Sequence, residues 1–327
     1  MSTDDRTRTD DATPTQPDAP ASPEVVVVGN IGIDTVVRLA PGDDPRNPEV
    51  EGHFTRNRDH IGQAGGYAAR GYAALGCRTA FVGAVGDDVH GRWIRGVLAA
   101  DGIDARGVFV DPAGTCRSVN LMGREGQRRF FYDPKGHMTL PVDLDRVRAV
   151  ARGARLAHVH LPNWARRVLP VLRELGVFVA VDLQDMRTVD DAYRDDFLQH
   201  ADLAFVSASV HVEPLAFLAA LRARWPDLPF VMGMGARGAA LAWPGAAVLR
   251  MPPPAAPDDA APLVDTNGAG DALAVATLVA HVLDDRPPIE ALLRGQIAAR
   301  HACGLDATSD GLITRDALEQ RARASAG

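Results

Sequence analysis

Short apolar runs alternate with longer amphipathic stretches along most of the chain. Val25-Val26-Val27-Val28 is entirely apolar and β-branched and ends at Gly29, a pattern typical of a strand buried on both faces. The run Thr79–Val85 predicts a second strand, and the residues after it predict a helix over Val89–Ala100 with Asp87 as its N-terminal cap. This part of the chain therefore predicts strand and helix in alternation.

From residue 156 onward, strand-like and helix-like stretches alternate about every 25 residues. Because such alternation is typical of βαβ units, it predicts an α/β fold with a mainly parallel sheet and helices on both faces. The predicted strands are 156–161, 177–183, 201–207 and 230–234, and the predicted C-terminal helices are 272–283, 289–301 and 315–323.

Two stretches depart from this pattern. Residues 36–63 are polar and irregular, whereas residues 115–133 alternate around a turn at 123–126, with Ser118 and Asn120 in one of the alternating sets. Alternation of this kind predicts a solvated antiparallel hairpin. We expect the two stretches to form a small sheet, or lid, that stands off the main domain and covers a substrate or another subunit.

Composition narrows the class of protein. Residues 1–22 are polar and lack the apolar segment of a signal peptide, so we predict a disordered tail before a folded domain at 23–327. No apolar run reaches the roughly 18 residues that a membrane span needs.

The formal net charge of −7 argues against a nucleic-acid partner. Cysteines occur only at Cys77, Cys116 and Cys303, too far apart for a disulfide framework, so we expect a reducing, cytoplasmic location.

Lys135 is the only lysine in the sequence. A P-loop needs Gly-Lys-Ser/Thr and a protein kinase needs lysine in a Val-Ala-Ile-Lys context, and neither occurs. The sequence therefore excludes P-loop proteins and protein kinases.

The stretch 263–272 carries the strongest chemical signal. It reads Leu-Val-Asp-Thr-Asn-Gly-Ala-Gly-Asp-Ala and leads from a proline-rich loop into an apolar helix. Gly268, Ala269 and Gly270 let a ligand approach N–H groups that lie where the first helical turn has unpaired donors and a positive dipole. We therefore predict an anion site with Asp271 as a base beside it, an arrangement suited to phosphoryl transfer to a hydroxyl. The alternative interpretation is an acidic N-cap on a core helix.

Polar residues also follow several predicted strands. Because ligands of open α/β sheets bind beyond the carboxyl ends of the strands, Asp34, Asn163 and Asp182 are candidates for binding substrate hydroxyls. A turn aspartate is the alternative for Asp34. His158 and His160 lie on one predicted buried strand, and we expect their side chains to point to opposite faces, so that they cannot share a metal ion.

Residues 233–238, Gly-Met-Gly-Ala-Arg-Gly, fit the dinucleotide fingerprint G-x-G-x-x-G and follow a predicted strand. The context does not fit, because residues 239–243 and 247–251 predict a hairpin where the fingerprint needs a helix. We favour a glycine loop beside an adenine nucleotide, and a plain tight turn is the alternative.

Two motifs resemble the signatures of the PfkB family of carbohydrate kinases, also called the ribokinase family. Residues 265–271 match its C-terminal signature, and Gly65-Gly66 with residues 83–88 and Gly91 resembles the N-terminal one. Order and spacing agree over roughly residues 24–315. The resemblance implies a ribokinase-like α/β fold, a central mainly parallel sheet flanked by helices, with a small β lid that often forms a homodimer interface. It also implies ATP-dependent phosphorylation, with Mg²⁺, of a hydroxymethyl group on a sugar or nucleoside.

The resemblance also implies roles for single residues. Asp271 matches the family's catalytic base, and Gly268, Ala269 and Gly270 match the anion hole. Substrate hydroxyls are implied to bind Asp34 and the Gly65-Gly66 pair. Gly235, Arg237 and Gly238 match the nucleotide loop, and Asp265 and Asn267 match positions that bind a monovalent cation, such as K⁺, in some members.

Some positions depart from the family pattern. The family usually has asparagine at the position that Arg70 occupies here, and often has asparagine at the position of Gly32. The family's Asn-x-x-Glu motif, which organises Mg²⁺ and phosphate, is replaced by Ser-Ala-Ser-Val at 207–210. Since arginine binds carboxylates and phosphates bidentately, Arg70 in a sugar pocket leads us to expect an anionic substrate such as a sugar acid. Ser207 is kept as a nucleotide-site candidate. Two alternatives stay open: a nucleoside kinase, and a sugar-binding protein without catalytic activity.

Overall fold

The four valines of β1 (Val25–Val28) lie fully buried in the interior of the main sheet. β1 is parallel to a neighbour on each side, β4 (Thr79–Val85) and β8 (Leu156–Val159). The computed structural model describes residues 22–39, 54–123, 128–255, 262–306 and 309–325, and within these ranges nine strands form this sheet. The prediction of a strand buried on both faces is confirmed.

The main sheet is parallel except at one edge, as the alternation of strand and helix predicts. Neighbouring strands from β11 to β5 run parallel, and the last two strands, β12 and β13, form the predicted antiparallel hairpin. The order is β13-β12-β11-β10-β9-β8-β1-β4-β5, with β5 at Asp104–Val110, β9 at Phe178–Asp182, β10 at Leu203–Ser207, β11 at Phe230–Gly233, β12 at Ala239–Ala242 and β13 at Leu249–Met251.

Helices cover both faces of the main sheet. One buried cluster joins the sheet to α3 (Leu144–Ala151), α4 (Leu169–Glu174), α5 (Ala192–Leu198) and α6 (Pro214–Arg224). The other joins it to α1 (Ala64–Ala74), α2 (Val89–Ala100), α7 (Ala269–Leu278), α8 (Pro288–Ala302) and α9 (Arg315–Ser325). None of the helices in the described ranges is long and apolar enough to cross a membrane.

Two predicted helix starts differ from the structure. Asp88, not Asp87, caps α2, because its carboxylate accepts the N–H of Gly91 at 2.8 Å. α7 begins at Ala269, three residues before the predicted start, and therefore includes Asp271 in its first turn.

A second sheet, here called the lid sheet, stands beside the main one. Its order is β3-β2-β6-β7, with β2 at Gly32–Arg38, β3 at Asn57–Gly62, β6 at Arg117–Met122 and β7 at Arg128–Asp133. The hairpin of β6 and β7 was expected to be solvated, but Ser118 and Asn120 are only 6% and 4% exposed, so its polar face is the buried one. Residues 1–21 of the predicted tail at 1–22, residues 40–53 of the stretch 36–63 and the turn residues 124–126 lie outside the described residues.

Candidate functional site

The N terminus of α7 is open and carries no capping side chain. Gly268 precedes the helix with φ 72°, a left-handed conformation that favours glycine. A Cβ placed on Gly270 would meet no other atom within 4 Å, so there is space beside the first turn. Asp271 lies in that turn. The N–H of Ala269 makes a long bond, 3.3 Å, to the Thr266 carbonyl. The helix end thus combines first-turn backbone N–H groups, a positive dipole and an adjacent carboxylate, features that suit an anion site.

Asp34 lies on β2, where it is buried and held by donors from three other parts of the fold. Its Oδ1 accepts the side-chain amide of Gln63 and the hydroxyl of Ser118, both at 2.6 Å. Its Oδ2 accepts the hydroxyl of Tyr67 at 2.7 Å. A Cβ at Gly62 would stand 2.1 Å from Oδ2, so glycine is needed beside this carboxylate.

Tyr67 connects Asp34 to the loop before α7. The side-chain amide of Asn267 donates to the Tyr67 hydroxyl at 2.8 Å and lies 3.5 Å from Asp34. Burial raises the pKa of Tyr67 well above its usual value, and the charges of Asp34, Asp271 and Asp265 add to the rise. The Asp34 cluster, on the lid sheet, and the open end of α7 therefore form one site.

Asp265 has the environment expected of a cation ligand. It is 3% exposed, and its Oδ1 accepts the backbone N–H of Asn267 at 2.8 Å. Its Oδ2 is buried and has no hydrogen-bond partner among the described residues. The carbonyl of Cys303 accepts the N–H groups of Val264 and Asp265, which adds a second chain segment to this position. A buried carboxylate oxygen without a donor is costly unless a cation balances it.

The glycine loop follows β11, as predicted. Residues Gly235–Arg237 form a short 3₁₀ turn, and Gly238 has φ 90°. A Cβ on Gly238 would approach the carbonyl of Met251 to 2.2 Å, so the loop packs directly against β13. A strand follows where a dinucleotide site needs a helix.

Ser207 ends β10 directly beside the end of β11, where it pairs with Gly233. The hydroxyl of Ser209, two residues further, donates to Asp185, an exposed carboxylate on the loop after β9. The family's Asn-x-x-Glu is absent at 207–210, but Asp185 brings a carboxylate to the same edge of the sheet. The sequence did not single out Asp185, because this residue follows β9, whereas the Asn-x-x-Glu motif would follow β10.

The glycine pair at the start of α1 has a packing role in this structure. A Cβ at Gly65 would stand 2.6 Å from the carbonyl of Asn30, and the N–H of Gly66 donates to that carbonyl at 3.1 Å. Asn163 lies in a 3₁₀ turn after β8 and donates to the Met138 carbonyl at 2.8 Å. These residues bring the strand ends and α1 together around the site.

The charge of Arg70 is paired within the protein. Its Nε donates to Asp101 at 2.6 Å, and its Nη1 lies 3.4 Å from Asp310. Its side chain is 14% exposed. Neither carboxylate belongs to the Asp34 cluster, so this arrangement gives no support to the expectation that Arg70 receives an anionic substrate.

His158 and His160 point to the same face, and the expectation of opposite faces was wrong. Residues two apart along a strand share a face, and the two rings have centroids 4.5 Å apart. Both rings are buried, as is the nearby Asp182, whose pKa burial raises to about 6. These three residues form a separate buried cluster beneath the strand ends.

Four residues of the Asp34 cluster were not predicted. Ser118 was assigned to a solvated hairpin, and nothing local marks Gln63, Tyr67 or His60 as site residues. His60 pairs with Asp34 across β2 and β3 and is 3% exposed, and burial lowers its pKa. Two features of the sequence could have indicated these residues. One is the alternation of side chains along β6, and the other is Gly62, which allows the Asp34 carboxylate to approach the backbone closely.

The fold and the site together define a small-molecule kinase of ribokinase-like architecture. The sequence model of the PfkB family, described as "pfkB family carbohydrate kinase", matches residues 23–315, and the chain belongs to this family.

Two curated relatives are named as sugar kinases. The chain is 32% identical over 307 residues to the acarbose 7(IV)-phosphotransferase of Actinoplanes sp. strain SE50/110, covering 90% of this chain and 97% of that protein. It is 28% identical over 307 residues to a fructokinase of Klebsiella pneumoniae, covering 86% and 93%. Among solved structures, the microbiome-derived acarbose kinase Mak1 matches with a TM-score of 0.82 and 31% identity, covering 92% and 99%. The ribokinase of Arabidopsis thaliana complexed with ribose and ATP shares the fold, with a TM-score of 0.75 and 22% identity over 92% and 99%.

Proposed function

We propose that this carbohydrate kinase transfers the γ-phosphoryl group of ATP to a hydroxymethyl group of a neutral sugar or pseudo-oligosaccharide. The observation that carries the proposal is the hydrogen-bonded connection from Asp34 through Tyr67 to Asn267, which joins a polar substrate surface to the open end of α7. The acarbose kinases among the relatives extend the substrate range to be tested beyond single sugars.

In this proposal Asp271 accepts the proton of the substrate hydroxyl as its oxygen bonds to the γ-phosphorus. The bond from that phosphorus to the β–γ bridging oxygen breaks, and ADP leaves. The N–H groups of Gly268, Ala269 and Gly270 bind the oxygens of the phosphoryl group in transit, where the positive end of the helix dipole offsets their charge. Closure of the lid sheet excludes water, which limits hydrolysis of ATP.

The residues present fit ATP and its magnesium ion. Gly235, Arg237 and Gly238 offer an exposed loop for the nucleotide, and Ser207 lies beside it. Mg²⁺ is bound in kinases by one or two carboxylates together with the substrate phosphates, and its role is to neutralise phosphate charge. We propose that Asp185 supplies the carboxylate that the missing Asn-x-x-Glu motif would have provided.

A neutral substrate suits the charge of the site. The carboxylates of Asp34, Asp265 and Asp271 all act on Tyr67, so the surroundings of this phenol are negative. Asp34 already accepts side-chain hydrogen bonds from Gln63, Tyr67 and Ser118 and a longer one from Asn267, so a sugar hydroxyl that donates to it must displace one donor. The half-buried Gln63 amide is the most accessible of these donors.

An ADP-release assay with MgATP tests the function. The panel contains acarbose, fructose, ribose, 2-keto-3-deoxygluconate and adenosine, with a no-acceptor control. We expect release with acarbose or fructose well above the control. Release with adenosine alone would establish a nucleoside kinase, and release with the sugar acid alone would refute the neutral substrate. Sugar binding without ADP release from any acceptor would establish a non-catalytic protein.

We further propose a homodimer through the outer face of the lid sheet. Val37, Val119 and Leu121 lie on this face, and Phe131 is 52% exposed on the adjacent strand. Light scattering of the Phe131→Ser variant tests this assembly, which should shift from dimer toward monomer. Unchanged mass would contradict the proposed interface.

A further inference from the structure

A buried cluster of His158, His160 and Asp182 lies on neighbouring strand ends and takes no part in the proposed phosphoryl transfer. The two histidines come from β8 and the residue after it, and the aspartate ends β9. One donor atom from each residue lies within 4.8 Å of the donor atoms of the other two. The main sheet therefore presents two imidazoles and one carboxylate to a single point.

The donor atoms of this cluster are poorly satisfied by the protein. Both ring nitrogens of His160 and the Nε2 of His158 are buried and have no hydrogen-bond partner among the described residues. A buried polar atom without a partner destabilises the fold. Because a neutral imidazole has one N–H and one lone pair, each of the two rings can offer one nitrogen lone pair to a bound cation.

The surroundings favour a cation with a preference for imidazole. The rings of His158 and His160 are 0% and 1% exposed, and imidazole nitrogen is a preferred ligand of this class of ion. Asp182 accepts one backbone N–H, from Gln184, through Oδ1 at 2.9 Å. Imidazole with carboxylate suits Zn²⁺, Co²⁺ and related ions, whereas Mg²⁺ prefers oxygen ligands.

The neighbours of the cluster have the features of an outer ligand shell. The hydroxyl of Tyr72 lies 3.2 Å from the Nδ1 of His158, a contact that orients the ring and leaves Nε2 toward the cluster. Glycine at 29 makes room for His160, because a Cβ there would stand 2.9 Å from its Cδ2. Asp182, at the end of β9, is 8% exposed and is the least buried residue of the cluster.

We propose that His158, His160 and Asp182 form a structural binding site for a divalent transition ion of the zinc class, distinct from the magnesium that accompanies ATP. Bonds of about 2.1 Å bring tetrahedral ligands to roughly 3.4 Å from one another, so small side-chain rotations close the site. The ion would tie β8 to β9 beneath the floor of the substrate site. This inference does not depend on the proposed function.

Cobalt binding to the untagged protein tests the site, because Co²⁺ in a low-symmetry N/O site absorbs visible light strongly. We expect one equivalent of Co²⁺ to bind with visible bands that Zn²⁺ abolishes and that millimolar Mg²⁺ leaves unchanged. His160→Gln and Asp182→Asn should each weaken binding by at least about tenfold, and Tyr72→Phe by about 10- to 100-fold through loss of the orienting contact. His200→Gln is the matched control, since that half-buried histidine lies outside the cluster and its loss should leave binding unchanged.

Absence of Co²⁺ and Zn²⁺ binding to the wild-type protein overturns the proposal, as does binding that only His200→Gln removes. Thermal unfolding with and without Zn²⁺ supplies a second readout if a core variant folds poorly. The wild-type protein should then show a higher melting temperature at one equivalent of Zn²⁺, and no shift would also contradict the site.

Discussion

The hydroxyl of Tyr67 donates to the Oδ2 of Asp34 at 2.7 Å across 33 residues of sequence. This contact joins the first helix of the kinase domain to the lid sheet, and the amide of Asn267 extends it to the loop before α7. Because one buried hydroxyl serves both neighbours, the positions of the Asp34 carboxylate and of the loop that leads into α7 depend on each other.

Tyr67→Phe should therefore affect both stability and catalysis. Loss of the hydroxyl leaves Asp34 with one donor fewer and the Asn267 amide with no phenol to bind, which should cost about 1–3 kcal/mol of unfolding free energy. Urea unfolding measures this cost, and steady-state kinetics should show a lower kcat as well as a higher KM. Tyr193→Phe, which loses one hydrogen bond to the Leu161 carbonyl elsewhere, is the control. Equal losses of kcat in the two variants would contradict a positioning role for Tyr67.

The cap of α2 gives a pH-dependent prediction. Burial alone would raise the pKa of Asp88, but hydrogen bonds from Gly91 and Thr115 outweigh it and lower the pKa to about 2. A carboxyl with a depressed pKa stabilises the fold above its usual pKa, near 4, and loses that contribution as pH falls toward about 2. Asp88→Ala should cost about 0.5–2 kcal/mol at pH 7. Its difference from the wild type should shrink below about pH 4.

Asp87→Ala is the matched control for the cap. Its side chain is 86% exposed and makes only a 3.5 Å ion pair with Arg92. Unfolding free energies from pH 7 to pH 3 should leave this variant close to the wild type throughout. A larger loss in Asp87→Ala than in Asp88→Ala would contradict the assignment of the cap.

Local patterns predicted what is built locally. The valine run, the hairpin after residue 238 and the loop into α7 each follow from a few neighbouring residues, and each is present in the structure. The Gly-Ala-Gly run before an apolar stretch placed Asp271 at a helix start for the same reason. These features depend on propensity and spacing, which a sequence displays directly.

Contacts across the fold were not predictable in this way. Asp34 meets Ser118 only because β2 pairs with β6 in one register, and a shift of one residue would turn Ser118 outward. Arg70 looked available for substrate until the fold brought Asp101 and Asp310 beside it. The error over His158 and His160 was different in kind, since the two-residue period of a strand would have placed them together from the sequence alone.

The lid sheet is attached to the loop before α9 by a cluster of ion pairs. Arg38, Arg56 and Arg58 lie 2.7, 2.6 and 3.3 Å from Asp306. Burial raises the pKa of Asp306, but Arg38 and the neighbouring guanidinium groups outweigh it and hold the pKa below its usual value. The attachment should therefore be complete at neutral pH and be lost as pH falls through that lowered pKa.

Asp306→Asn should loosen the lid sheet without unfolding the protein. Three guanidinium groups would then face one another without this carboxylate, and each partly exposed pair contributes about 0.2–1 kcal/mol. Hydrogen exchange at β2 and β3 should be about two to five times faster than in the wild type. Asp145→Asn, which breaks an exposed pair with Arg148 on α3, should leave lid exchange unchanged. Unaltered exchange in Asp306→Asn would show that packing alone holds the lid sheet.

The unpartnered oxygen of Asp265 predicts an effect of monovalent cations on stability. Without K⁺, Asp265→Asn removes a buried charge and should raise the melting temperature, because the isosteric amide is cheaper to bury. With saturating K⁺, binding should add about 1–3 kcal/mol to the unfolding free energy of the wild-type protein. The wild type should then melt at a higher temperature than Asp265→Asn. Thermal unfolding in KCl and in tetramethylammonium chloride at equal ionic strength measures the melting temperatures of the two proteins with and without K⁺. The same order of melting temperatures in the two salts would argue against a cation at this carboxylate.

Asp271→Asn is the most direct test of the proposed chemistry. An amide cannot take the substrate proton, so kcat should fall about 10²- to 10⁴-fold in the ADP-release assay. The N–H groups of the helix end remain, and nucleotide affinity measured by calorimetry should stay within a few-fold of the wild type. Asp316→Asn, a change in the first turn of α9, controls for loss of a favourable helix-dipole interaction of about 0.3–1 kcal/mol. A kcat within tenfold of the wild type would remove Asp271 as the base, and loss of nucleotide binding would assign it a structural role at the helix end.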